Sequence, residues 1–236
     1  MGLITTFIAG LSFLVGGIIA LFFKRKDNLI NFSLSMSFSV LIILVLFEML
    51  PESFELLENY FPILTITIGV ITGIVLFMFM DHFIPHHGED SGKDNLIHIG
   101  TVMGISLIIH NIIEGIFLYG YTMVNVRMGF MYAIAAALYH LPLGINLTFL
   151  LKDNQKRLWI FLLLLTFTPL FGGIVIHYFD AILNYLFLGI MLSITMGMII
   201  YIIFAELLNN IKKNFNKYTF FGIITGTILI LLGMVV

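Results

Sequence analysis

The most chemically informative residues of this chain are a histidine, an amide and a carboxylate in the middle of a long apolar segment. They are His110, Asn111 and Glu114. In an α-helix the residues i and i+4 lie on one face, so His110 and Glu114 stand one above the other with Asn111 beside them. An imidazole and a carboxylate suit zinc, iron or manganese, and an amide adds a neutral oxygen. The spacing predicts a metal site; the alternative is a histidine–glutamate hydrogen bond that only joins helices.

A second buried histidine, His140, precedes a proline in the next apolar segment. Pro142 has no amide hydrogen, so it should free the carbonyl of Leu138 and kink the helix. Thr168 and Pro169 predict a matching interruption one segment later. Irregular backbone inside a membrane is tolerated where it lines a cavity or binds an ion. The two prolines therefore predict broken helices around a transport site near the middle of a membrane.

Other ionisable side chains lie near the ends of apolar segments, where a structural role is the expectation for each taken alone. They are Glu48, Asp81, His82, His177 and Glu206. The polar connector 85–94 adds His86 and His87 together with three acidic residues. Such a tract can bind metal loosely, or it can be an ordinary polar loop.

The elements that must hold these residues are transmembrane helices. The chain is 60% hydrophobic and only 10% charged, and a spanning helix needs about 20 mostly apolar residues. Long apolar runs without strict alternation favour helices over a membrane barrel. The predicted fold is an all-α integral membrane protein with a single transmembrane domain, residues 1–236. Its eight spans are expected at about 2–23, 29–50, 62–83, 96–120, 126–151, 158–179, 181–206 and 218–236.

The distribution of basic residues predicts the orientation of the spans, because short cytoplasmic loops are rich in Lys and Arg. Only Arg127 lies in the even-numbered connectors. The odd-numbered connectors hold Lys24, Arg25, Lys26, Lys93, Lys152, Lys156, Arg157, Lys212, Lys213 and Lys217. Both termini are therefore expected outside. The first segment lacks the features of a signal peptide and is expected to be a retained helix of a multi-pass protein in the cell (inner) membrane.

Composition also limits the chemistry. A net charge of −2 with no basic stripe gives no sign of nucleic-acid binding. The chain contains no cysteine, so a metal must be held by imidazole, carboxylate, amide or hydroxyl groups. An intramembrane metallo-hydrolase would need a stronger ligand set, such as His-Glu-x-x-His, which the sequence lacks. We therefore expect no enzyme.

The segment around His110 resembles the fourth helix of the ZIP (Zrt/Irt-like) family of divalent metal transporters, bacterial type. That helix carries His-Asn-x-x-Glu-Gly, and His110, Asn111, Glu114 and Gly115 match it fully. Weaker matches to the second, third and seventh family helices are Leu50-Pro51-Glu52, Met80-Asp81-His82-Phe83-Ile84-Pro85-His86-His87, and Gly197-Met198 with Glu206-Leu207. The resemblance extends over nearly the whole chain and implies a ZIP-like bundle of eight helices with both ends outside.

This chain departs from the family pattern at two carboxylate positions. Leu143 stands where the fifth family helix has a bridging carboxylate, and Thr168 stands where the sixth has a glutamate. In the family these positions help to build a two-metal centre, so the resemblance implies a degenerate centre that keeps one site. A divalent cation beside a lone Glu114 would carry a net charge of about +1, and burying that charge predicts weak binding.

Together these features predict a divalent cation transporter, with the ion site between spans four and five. The predicted metal ligands are His110, Asn111, Glu114 and His140, with Tyr139, Thr168, Glu48, His86 and His87 as further candidates. Zinc is the first expectation for the transported ion; iron, manganese and cadmium are alternatives. The other hypothesis is a ZIP-related membrane protein that has lost transport and serves metal sensing or interaction. The expected partners are the metal ions and the lipid bilayer, and a homodimer is left open.

Overall fold

The chain forms a bundle of long helices. The computed structural model describes residues 1–23, 27–83, 92–179 and 184–235, and all regular structure within these ranges is helical. We number the helices along the chain as follows: α1 Gly2–Leu21, α2 Asp27–Leu56, α3 Pro62–Phe83, α4 Gly92–Val124, α5 Val126–Leu151, α6 Gln155–Phe179, α7 from Tyr185 to Lys213, and α8 Lys217–Val235. The prediction of an all-helical protein is confirmed.

Seven of these helices, α1 to α7, are long and apolar enough to cross a membrane. The last, α8, is apolar over Lys217–Leu232, which falls short of that length within the described residues. Seven candidate spans are therefore established. The eighth span and the placement of both termini outside remain predictions.

Helix α1 packs against α4, α5 and α6, while α2 packs on α8 and α3 packs on α7. Glycines allow the closest approaches. A Cβ atom added to Gly115 of α4 would lie 2.0 Å from the carbonyl oxygen of Pro169 in α6, and one added to Gly172 would lie 2.0 Å from that of Ile112. Backbones can approach this closely only where a residue has no side chain. This contact fixes α4, and with it His110 and Glu114, against α6.

We expect Gly115→Ala to destabilise the protein, because the added methyl group would collide with the Pro169 carbonyl oxygen. Overpacking of this kind costs about 1–3 kcal/mol. Gly120→Ala, five residues later in the same helix, is the matched control because no atom lies within 4 Å of the added Cβ. The midpoint of thermal unfolding in detergent should fall for the first variant only. Equal midpoints would contradict the close α4–α6 contact.

The prediction that two prolines divide their helices is wrong, whereas the kink expected at Pro142 stays a prediction. Pro142 lies inside the continuous helix α5, and Pro169 lies inside the continuous helix α6. In α6 the reason is visible. Pro169 cannot donate to the carbonyl of Leu165, one turn back, and the hydroxyl of Thr168 donates to that oxygen instead, at 3.2 Å. A side-chain hydrogen bond thus replaces the missing backbone bond.

The irregular backbone occurs in two other helices. Helix α2 contains a π-helical segment at Val45–Met49, and α7 contains one at Ile202–Leu207. π-Turns inside α-helices are rare and occur often at functional sites. The first of these segments carries Glu48, so its wider turn helps to set the position of that carboxylate in the bundle.

Candidate metal site

Glu114 lies at the centre of a buried polar cluster formed by α4 and α5. Its Oε1 accepts a hydrogen bond from the hydroxyl of Tyr139 at 2.6 Å, and its Oε2 lies 2.9 Å from Nε2 of His140. Its side chain is only 10% exposed. The structure therefore brings Glu114 and His140 together, as the sequence analysis expected.

A backbone carbonyl in α1 orients His140. Nδ1 of the ring lies 2.9 Å from the carbonyl oxygen of Ala9. A carbonyl oxygen can only accept, so Nδ1 carries the hydrogen in this arrangement. The ring also stacks on Phe13, with centroids 4.1 Å apart. The Nε2 atom is thereby aimed at Glu114.

This orientation has a consequence for the charge between His140 and Glu114. In a neutral imidazole with its hydrogen on Nδ1, the Nε2 atom is an acceptor, and so is a carboxylate oxygen. Two acceptors lie 2.9 Å apart favourably only when they share a proton or a cation. Metal-binding histidines almost always donate their other N–H to a carbonyl or carboxylate, and two ligands of one zinc ion lie roughly 3 Å apart. The spacing of the pair therefore fits either a shared proton or a shared cation.

His110 approaches the same oxygen of Glu114 as His140 does. Its Nε2 is 3.9 Å from Oε2 of the carboxylate, too far for a hydrogen bond. The ring is buried, and neither nitrogen has a hydrogen-bond partner among the described residues. A cation about 2 Å from each atom would fit between the imidazole and the carboxylate. The i, i+4 spacing thus places His110 as predicted, with a nitrogen available for a ligand.

Glu48 joins the site from α2. The hydroxyl of Tyr139, which bonds Glu114, is also 3.5 Å from Oε1 of Glu48. Two carboxylates are therefore within reach of one hydroxyl group, which changes the expectation of a lone Glu114. A divalent cation that reached both carboxylates would be neutralised, and the charge argument for weak binding would not apply to it.

A cavity of about 50 Å³ opens beside these groups. Two acidic residues of α2 and the histidine and carboxylate of α4 line it, and the rest of its wall is mostly apolar: Glu48, Met49, Glu52, His110, Glu114, Phe117, Leu118, Tyr132 and Leu192. A site for one water molecule needs about 10–15 Å³ on this measure. The cavity can therefore hold a cation together with some of its water.

Asn111 and Thr168 do not line this cavity. Asn111 is fully buried, and its amide group has no hydrogen-bond partner among the described residues. Asn111 precedes Gly115 by one turn, and this places it on the side of α4 that faces α6. The Thr168 hydroxyl bonds within its own helix. Two other candidates, His86 and His87, lie outside the described residues.

The side chains do not yet form a complete coordination shell. Across the described ranges, no group of three or more His, Cys, Asp or Glu side chains is arranged to hold a metal ion. Both oxygens of Glu114 are engaged by neighbours within the protein. A cation arriving from the cavity would have to replace the hydrogen bond from Tyr139 to Glu114. The side chain of His110 or Glu48 would also have to move closer to the Glu114 carboxylate.

The predicted ligand set leaves out Glu52 and Tyr132, which also line the cavity. Glu52 follows Glu48 by one helical turn, so the i, i+4 rule that found His110 and Glu114 could have paired these acids as well. Tyr132 carried no such signal, because aromatic residues are frequent in membrane helices.

No protein-family model matches the chain. Parts of it are similar to curated relatives. The protein zntB of Dictyostelium discoideum is 33% identical over 97 residues, which are 41% of this chain and 25% of that protein. The zinc transporter ZupT of Enterobacter sp. (strain 638) is 24% identical over 137 residues, which are 54% of this chain and 52% of that protein. The chain thus spans about a quarter and about half of the lengths of these relatives.

Proposed function

We propose that the protein is a multi-pass membrane transporter of a divalent metal cation, with zinc as its main substrate. Iron, manganese and cadmium are alternative substrates. One observation carries the proposal: an imidazole and carboxylates line a cavity inside an apolar bundle. Ionisable groups at membrane depth are costly, and they usually mark an ion pathway. The similarity of part of the chain to the zinc transporter ZupT supports the same class of function.

In this proposal Glu114 is the main anionic ligand and Glu48 the second. His110 supplies the unpartnered nitrogen that faces the carboxylate. His140, held by Ala9, supplies the other imidazole. The Tyr139 hydroxyl links the two carboxylates when no ion is bound and exchanges its hydrogen bond for the ion. To serve as an outer ligand, Asn111 would have to turn its amide from the side of α4 that faces α6 toward the cavity.

The direction of the cavity supports uptake. If both termini are outside, α2 and α4 both run from the cytoplasm outward. Apart from His110, the other residues that these two helices contribute to the cavity follow Glu48 and Glu114 in sequence, so the cavity extends toward the outside. An ion would enter past Glu52, reach Glu48 and Glu114, and leave toward the cytoplasm. The connector with His86 and His87 would collect ions there. We place the protein in the cell (inner) membrane.

A protein that binds metal without transporting it is the second candidate function. It is favoured by Leu143, which occupies a carboxylate position of the resembled family and is fully buried in the apolar core. The paired carboxylates and the cavity favour transport instead. Binding without uptake distinguishes the two functions.

The deciding experiment is uptake of radioactive zinc by proteoliposomes that contain the purified protein. We expect time-dependent uptake above that of protein-free liposomes, reduced by excess cadmium, iron or manganese in the order of their affinities. Magnesium should compete poorly, because imidazole ligands favour zinc-like ions over magnesium. Zinc binding without uptake would favour the sensing function, and absence of both would refute a metal site.

A further inference from the structure

The helices that form the candidate metal site carry a second polar cluster further toward the predicted cytoplasmic side. The hydroxyl of Ser33 in α2 donates to Oδ1 of Asn146 in α5 at 3.0 Å. Nδ2 of Asn146 lies 3.5 Å from Sδ of Met103 in α4. All three residues have 0% exposure. A hydroxyl, an amide and a thioether from three helices thus meet in the interior of the bundle.

Two serines one helical turn from this cluster have hydroxyl groups without a partner in the described part of the chain. Ser37 follows Ser33 by one turn of α2, and Ser106 follows Met103 by one turn of α4. Both are fully buried, and neither Oγ has a hydrogen-bond partner among the described residues. Most serines in apolar helices avoid this state by bonding to a carbonyl of their own helix.

Several serines of this protein do form such bonds, among them Ser12, Ser39, Ser53 and Ser193. Ser37 and Ser106 are exceptions to a pattern that the same bundle otherwise follows. A buried polar group without a partner is costly unless water, an ion or another ligand satisfies it. The two hydroxyls therefore point to a ligand near the cluster.

The register of the helices places the cluster below the main site. On α4 the residues Met103, Ser106, His110 and Glu114 follow at intervals of three, four and four, so they share one face. Met103 and Glu114 are about 16 Å apart along the helix at a rise of about 1.5 Å per residue. On α5 the corresponding residues are Tyr139 at the site, Asn146 at the cluster, and Leu143 between them.

We propose that Ser33, Met103 and Asn146, with Ser37 and Ser106, form a second cation position on the cytoplasmic side of the Glu114 site. This proposal rests on the proposed transport function. The position has no charged ligand, so it holds an ion weakly, as a transit position must. The thioether favours soft cations, with cadmium bound more strongly than manganese. The buried Leu143 separates this position from the main site.

The competing explanation is that the cluster only joins α2, α4 and α5 by hydrogen bonds. Anomalous diffraction from crystals of the full protein soaked in cadmium distinguishes the two. We expect one cadmium peak beside Glu114 and a weaker one beside Met103 Sδ and Asn146 Oδ1. Absence of a peak beside Met103 would refute the second position. Because each site has its own peak, this result does not depend on whether the Glu114 site binds or the protein transports.

Flux measurements provide the second test. Met103→Leu conserves side-chain volume and removes only the sulfur. We expect it to lower the ratio of cadmium to manganese uptake by proteoliposomes about threefold or more. The matched control is Met198→Leu, since Met198 is also buried but lies in α7, which contributes no residue to the cluster. An unchanged ratio for Met103→Leu, or an equal fall in both variants, would overturn the proposal.

Discussion

Replacing Glu114 by glutamine is expected to lower cadmium or zinc affinity by more than about 100-fold and to abolish uptake. Loss of a group that only supports a metal ligand typically costs 10–100-fold, and Glu114 is the proposed ligand itself. Glutamine has nearly the same shape and can still accept the Tyr139 hydrogen bond. The variant therefore removes the charge while leaving the bundle intact.

The matched control for this variant is Glu55→Gln, which makes the same chemical change at an exposed residue that does not line the cavity. Metal affinity can be measured by calorimetry on the purified protein, and uptake in proteoliposomes. Both should be unchanged in the control. Wild-type affinity in Glu114→Gln would show that the carboxylate serves only to join α4 and α5 through Tyr139 and His140.

The positions of the helices were predictable because most of their residues meet one requirement, which is to be apolar over a length that spans the membrane. A segment of about 20 apolar residues has few alternatives to a helix in lipid, and the described helices fall close to the predicted spans. His110 and Glu114 were placed together correctly for a similar reason, since a helix of known period brings residues four apart onto one face.

The role of Glu48 could not be predicted in the same way. It is 66 positions from Glu114, and only the packing of α2 against α5 brings it to the hydroxyl of Tyr139. A π-turn, which widens the helix by one residue, lies at the same place. Composition and spacing give no signal for such a turn, and it changes which face of α2 Glu48 occupies.

Thr168 and Pro169 show how a local rule can mislead. A proline inside a membrane helix predicted an interruption, and Thr168 was a candidate ligand because it stands where the resembled family has a glutamate. In the structure α6 continues through Pro169, and the Thr168 hydroxyl donates a hydrogen bond to the Leu165 carbonyl that Pro169 leaves without a donor. Threonine hydroxyls often bond the carbonyl three or four residues earlier, and that rule would have predicted the observed contact.

The second large expected effect follows from Glu48, because two carboxylates neutralise a divalent cation and one does not. We expect Glu48→Gln to lower metal affinity at least about tenfold, which corresponds to about 1.4 kcal/mol. Glu52→Gln is the matched control one turn further along α2. That residue also lines the cavity, but it lies on the outer side of Glu48 in the proposed path of the ion, so its effect on affinity should be smaller.

The double variant Glu48→Gln/Glu114→Gln tests whether the two carboxylates act on one ion. Groups that share a ligand are energetically coupled, so their separate losses in affinity should not add. Once Glu114 is neutral, a cation no longer gains from Glu48 the charge balance that it has in the parent protein. The double variant should therefore bind about as weakly as Glu114→Gln alone in calorimetric titrations. Fully additive losses would mean that Glu48 acts at a distance, as a general attraction at the cavity, and that the contact through Tyr139 does not define a single binding site.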